Sequence, residues 1–179
     1  TPKGELYVVL DNNTRVERMG KVIADNSTIK NIVASPSPNL NKIIIVENKE
    51  CIGRLVALNG NINDNYYIDN IVPECEITLE GNRNLYFGII TNINPLYVRT
   101  EGLVLIWTSN DIGNIVKGNL LSVGTHDGYA HKKINTSDEV IAKCLIDCNF
   151  DLTSKTYKIK EKVIEGKYIR FALLPCLLK

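Results

Sequence analysis

Along most of this chain, apolar residues come in runs of four or five, and turn-forming residues separate the runs. The pattern is clearest between Glu101 and Lys133. There Leu103-Val104-Leu105-Ile106-Trp107 stops at Ser109-Asn110-Asp111, and Ile115-Val116-Lys117 stops at Gly118-Asn119. Leu120 to Val123 is the next run, after which Gly124 and Gly128 bracket Thr125-His126-Asp127. Runs this short predict strands joined by tight turns and leave no room for a long helix. The expected fold is all-β: a single compact domain of many short, mostly antiparallel strands.

The remaining chain fits that frame. Leu6 to Leu10 reads as a buried strand ended by Asp11-Asn12-Asn13, and Arg15 to Ala24 as its antiparallel return with a kink at Gly20. Thr28 to Ala34 alternates loosely until Ser35-Pro36-Ser37-Pro38, where two residues without a backbone N–H are expected to stop any ladder. Lys42 to Glu47 is the most β-branched run and predicts a strand covered on both sides. Ile52 to Leu58 predicts another, ended at Asn59-Gly60, a strong two-residue hairpin signal.

From 59 to 84 the pattern loosens, and the segment reads as an insertion into a domain that otherwise spans 1–179. It still holds a short patch at Tyr66-Tyr67-Ile68 and an alternating stretch from Cys75 to Leu79. Leu85 to Thr91 and Leu96 to Val98 predict strands on either side of Pro95. Val140 to Ile146 fits a buried strand or, capped by Thr136 or Ser137, a short helix; its strand neighbours favour the first. Tyr157 to Ile164 alternates charged and apolar residues, Glu165-Gly166-Lys167 turns the chain, and Tyr168 to Leu174 closes a final hairpin.

Composition narrows the function classes. The chain has 179 residues and a formal net charge of +1, so no global field draws it to nucleic acid or an anionic membrane. No apolar stretch approaches the ~20 residues that cross a bilayer as a helix. The polar start at Thr1-Pro2-Lys3 is unlike a signal peptide, and is expected to be the cut end of a longer chain. Five cysteines (51, 75, 144, 148 and 176) are an odd number without a spacing pattern, which points to reduced, buried thiols. If Cys144 and Cys148 share one strand face they stand about 13 Å apart, too far for a disulfide or a shared ion.

With the strands placed, the order of short motifs resembles a β domain found at the C-terminal ends of phage tail-fibre and appendage proteins and of some giant-virus virion proteins. That domain is related to the intramolecular-chaperone, autoproteolytic domains of such fibres. Its opening strand is similar to Gly4-Glu5-Leu6-Tyr7-Val8-Val9, and its Ser-x-Pro strand end to Ile32 through Pro38. Its later elements are similar to Gly102 to Trp107, Lys117-Gly118-Asn119-Leu120-Leu121-Ser122, Gly128-Tyr129-Ala130, Val140 to Cys144 and Arg170 to Leu174. Asn119 stands where the family has Asp, Ala142 where it has Gly, and 59–84 has no counterpart. β-Clip domains share this strand-turn grammar in the C-terminal half.

The resemblance implies a non-enzymatic virion, capsid-associated or tail-fibre component, made in a host cytoplasm and acting in assembly through subunit contacts, as a homotrimer or with other virion proteins. Its alternative is an autoproteolytic intramolecular-chaperone domain; a carbohydrate-binding module is a third reading. Catalytic candidates are few. Ser122 or Thr125 with His126 and Asp127 can be drawn as a triad, but adjacent residues on a strand point to opposite faces. His126 and His131, the two histidines, lack the further ligands a metal site needs, so neither metal nor cofactor is expected. No phosphate-binding glycine loop or basic-aromatic patch suggests a nucleotide or nucleic acid. Gly118, Asn119, Gly124 and Gly128 are expected to fix turns. Trp107, Leu177 and Leu178, with several tyrosines, are the expected interface residues.

Overall fold

The computed structural model describes residues 31–46, 50–63 and 72–179. The strands expected at Leu6–Leu10 and Arg15–Ala24, and the Tyr66-Tyr67-Ile68 patch, lie outside the described residues. The protein is all-β, with half of the described residues in strands arranged in two sheets. The first sheet contains β1 (Asn31–Val33), β2 (Ser35–Pro36), β3 (Leu55–Asn63), β4 (Val72–Ile77), β5 (Tyr86–Asn92) and β6 (Tyr97–Arg99). Its order is β1-β6-β5-β3-β4-β2, antiparallel except for β2 against β4.

The second sheet contains β7 (Gly102–Ser109), β8 (Leu120–Val123), β9 (Ala130–Lys132), β10 (Ala142–Cys144), β11 (Lys158–Ile164) and β12 (Lys167–Leu178). Strands β10, β8, β9, β7 and β12 pair in that order, and β12 pairs back onto β10, so five strands close into a barrel. Closure removes the unpaired edges that an open sheet leaves. β11 stays outside the ring as the hairpin partner of β12.

Closure depends on how β12 divides one of its edges. One edge pairs with β7 from Phe171 to Leu178. The other carries β11 as far as Leu173 and β10 from Cys176 onward. Pro175 falls in the changeover; its missing N–H faces that same edge, where its carbonyl still accepts the Leu145 N–H at 3.0 Å. A proline is tolerated there because no full ladder bond is lost. The side chains of Ala172, Leu174, Cys176 and Leu178 point into the barrel with Val104 and Ile106 of β7 and Leu121 of β8. Phe171 points outward and packs on Trp107 and Tyr129 in a smaller cluster.

Four local expectations are corrected. Lys42 to Val46 belongs to a helix, α1 (Pro38–Val46), instead of a strand. Ser37 caps it, its Oγ accepting the Leu40 N–H at 3.3 Å, and Pro38 takes the first helical position, where no N–H is needed. Leu40, Ile43 and Ile44, at helical spacing, pack on the first sheet, while Ile45 is 80% exposed. Ser35-Pro36 adds a short parallel edge strand and does not end pairing. Asn59-Gly60 is a bulge within β3 and not a hairpin: Leu58 pairs with Cys75 and Ile62 with Pro73, leaving three residues opposite Glu74. The 59–84 stretch, expected as an insertion, supplies β4, which is hydrogen-bonded between β3 and β2.

The two sheets meet through backbone bonds at Gly128, in the β8–β9 loop. Its N–H donates to Thr78 O and its carbonyl accepts from Leu55 N, both at 2.9 Å. Gly128 has φ +77°, and a Cβ there would lie 2.7 Å from Arg54 Nε and 3.0 Å from Ile77 Cγ2. Both the conformation and the space require glycine. Gly124 closes the same loop, donating to Tyr129 O at 2.8 Å.

Candidate functional site

The polar groups of the second sheet gather where the end of β7 meets the β8–β9 loop. Asp111 is their centre. Its Oδ2 accepts from Ser109 Oγ at 2.9 Å and Thr125 Oγ1 at 3.3 Å, and its Oδ1 lies 3.0 Å from His126 Nε2. An ionised carboxylate only accepts, so the proton of this contact sits on Nε2. The His126 ring stands edge-on to Phe171 at 5.6 Å, and Tyr129 lies 4.1 Å from Phe171. Beside them is a cavity of about 460 Å³ lined by Arg54, Asp127, Lys162 and Glu165 as well as His126 and Tyr129.

Cations cover the aromatic cluster. Arg54 stacks 4.3 Å above the Tyr129 ring, and its Nη2 donates to the Asp127 carbonyl at 2.7 Å. Lys160 Nζ sits 4.4 Å from the Trp107 ring centre and 2.6 Å from Glu50 Oε2. These contacts tie residues 50–54 to the barrel wall, with charges stabilised on ring faces.

The triad that can be drawn from the sequence does not assemble. His126 is bound to Asp111, not Asp127, whose side chain is exposed. Ser122 is buried on β8 opposite His131 of β9, and its Oγ has no hydrogen-bond partner. In a Ser-His-Asp relay the hydroxyl meets one ring nitrogen and the carboxylate the other. Around Asp111 both hydroxyls and the histidine converge on the carboxylate itself. That arrangement fastens two loops and differs from the relay geometry. That Asp111, its central member, binds His126 was not legible in the sequence, because 15 positions separate the two and only the fold joins them.

Ser122 borders a separate cavity of about 270 Å³, lined also by Arg83, Asp138 and Glu139. Arg83 Nε, Ser122 Oγ and His131 Nδ1 are buried there or next to it without partners. Burial holds His131 below the ordinary histidine pKa, against the pull of Asp111 and Asp138. The two histidines therefore serve different surroundings, and among the described residues no three His, Cys, Asp or Glu side chains gather as a metal site.

The expected turn residues are placed as follows. Gly118 has φ +90°, and Asn119 Oδ1 accepts the Val116 N–H at 2.8 Å, setting the start of β8. Of the expected interface residues, Trp107 and Leu178 are buried, 4% and 6% exposed, because both pack inside clusters. Leu177 is exposed. It shares the outer face of β7 and β12 with Leu103, Leu105 and Pro175, and Leu145 stands nearby. Leu103 is 62% exposed, and the face borders an apolar cavity of about 410 Å³. The tyrosines divide as well: Tyr129 is buried, Tyr86 and Tyr97 half-buried. Comparison of the chain with protein-family models, curated proteins and solved structures found no match.

Proposed function

We propose that this protein is a non-enzymatic structural β module of a virion or tail-fibre type of assembly, working through contacts with further copies of itself. The observation that carries this reading is the apolar outer face of the barrel, formed by Leu103, Leu105, Leu145 and Leu177, all more than 40% exposed. A contiguous apolar face on a rigid closed barrel is what a subunit contact buries. The order of motifs along the chain supports the same reading, as does the convergence of Ser109, Thr125 and His126 on one carboxylate. A trimer is the expected state. Light scattering on the purified chain over a wide concentration range tests it, and a monomer at high concentration overturns it.

One observation favours a second reading, a carbohydrate-binding module. Ser122 Oγ and Arg83 Nε are buried and unpartnered at a cavity that also presents Asp138 and Glu139. Orphaned buried polar atoms are rare in folded proteins. Sugar hydroxyls donate to carboxylates and accept from Ser and Arg, so they complement this lining. A glycan array probed with the intact chain decides it: no binder ends this reading.

A further inference from the structure

Cys144 and Cys176 face each other across the strand pair that closes the barrel. They occupy matched positions of β10 and β12, and both are fully buried. The flanking bonds, Leu145 N–H to Pro175 O and Lys179 N–H to Ile141 O, show that this is a non-hydrogen-bonded pair. The backbone groups of Cys144 point the other way, to Asn119 O and Gly118 N. Directly opposed residues at such positions have Cα atoms about 4.5 Å apart and side chains on the same face, within the range a disulfide spans. Each thiol donates to a carbonyl two residues away along its own stretch of chain, Cys144 Sγ to Ile146 O at 3.3 Å and Cys176 Sγ to Leu174 O at 3.4 Å.

We infer that Cys144 and Cys176 form an oxidisable thiol pair whose disulfide locks the β10–β12 seam of the barrel. Hydrogen peroxide is a sufficient oxidant. The Cys144 thiolate attacks one peroxide oxygen, the O–O bond breaks, and hydroxide leaves, taking up a proton to become water. The Cys144 sulfenic acid is then attacked by the Cys176 sulfur; the S–S bond forms, the S–O bond breaks, and the second water leaves with the Cys176 proton. Two thiols and one peroxide thus give one disulfide and two waters.

The roles follow from the surroundings. The neighbouring Cys176 thiol lowers the Cys144 thiol against the effect of burial, while Cys144 and burial raise Cys176. Cys144 is therefore the first nucleophile. Cys148 lies in the same core cluster, but burial raises its thiol, and it bridges to Ile115 instead of β12.

The test treats the intact reduced chain with hydrogen peroxide, blocks the remaining thiols, and maps it with trypsin and a protease that cuts before Asp. That second cut, at Asp147, separates Cys144 from Cys148. The expected product is the 144–146 peptide linked to the 171–179 peptide, two hydrogens lighter than its parts. The locked chain is expected to melt about 10 °C higher than the reduced one, since the bond closes a loop of about thirty residues, and a reductant should reverse the shift. Cys148→Ala should keep both effects; Cys176→Val should lose both. Refolding the reduced, unfolded chain with peroxide should give the same link. A Cys148–Cys176 link, or two thiols still free after both treatments of the wild-type chain, overturns the inference.

Discussion

At the scale of single residues, Asp111 does the most joining. One carboxylate receives Ser109 from the strand end and Thr125 and His126 from the β8–β9 loop. Asp111→Asn keeps the size but replaces an acceptor with a donor against these groups. Unfolding in urea is expected to show a loss of about 1–3 kcal/mol, the range for charged hydrogen bonds in partly buried settings. His131 makes a pH prediction. Burial lowers its folded pKa from the ordinary 6.5, so between the two values the unfolded chain binds a proton that the folded chain refuses. Its contribution is complete above about pH 6.5 and is lost as the pH falls through the folded value. Asp111 and Asp138 oppose the shift, while Arg83 and His126 reinforce it. Stability measured from about pH 7 to pH 5 should therefore fall less steeply in His131→Gln than in the wild-type chain.

At the scale of elements, the instructive case is α1. Its residues Ile43, Ile44 and Ile45 have strong strand preference, yet they form a helix. What decides is the start signal, Ser37 followed by Pro38, together with Leu40, Ile43 and Ile44 falling on one helical face against the first sheet. That spacing was already in the sequence, but a continuous apolar run fits both periods and does not choose between them. Ser37→Ala is expected to cost about 1 kcal/mol in denaturant unfolding, with the barrel's near-ultraviolet signal from Trp107 unchanged in the native state. β12 shows the converse. Its alternation was legible, but its length was not: the strand was expected over Tyr168 to Leu174, and it runs on through Pro175 because β11 gives way to β10 there.

At the scale of the whole molecule, barrel closure divides the outer face of β7 and β12 into two parts. One end, with Trp107 and Phe171, is covered by Tyr129 and the β11 hairpin side; the other, with Leu103 and Leu177, is bare. Trp107 and Leu103 sit on the same side of one strand, so sequence alternation alone assigned them the same fate. If self-association uses the bare end, Leu103→Glu should shift the chain to monomer in light scattering and leave its strand-dominated circular-dichroism spectrum intact. An unchanged oligomer would place the contact elsewhere. Ser122 shows the same limit of the sequence: it was singled out beside His126, but the β8–β9 register sets it opposite His131.

The sequence by itself determined the all-β class, the positions of β5 to β8, β10, β11 and the first half of β12, and the turns at Gly118-Asn119 and between Gly124 and Gly128. These depend on alternation and on backbone freedom, both properties of neighbouring residues. Only the tertiary structure decided that five strands close into a barrel, that Asp111 binds His126, that Cys144 faces Cys176, and which leucines stay outside. Each of these depends on residues far apart in the chain meeting at a particular register, and local pattern carries no record of register between distant strands.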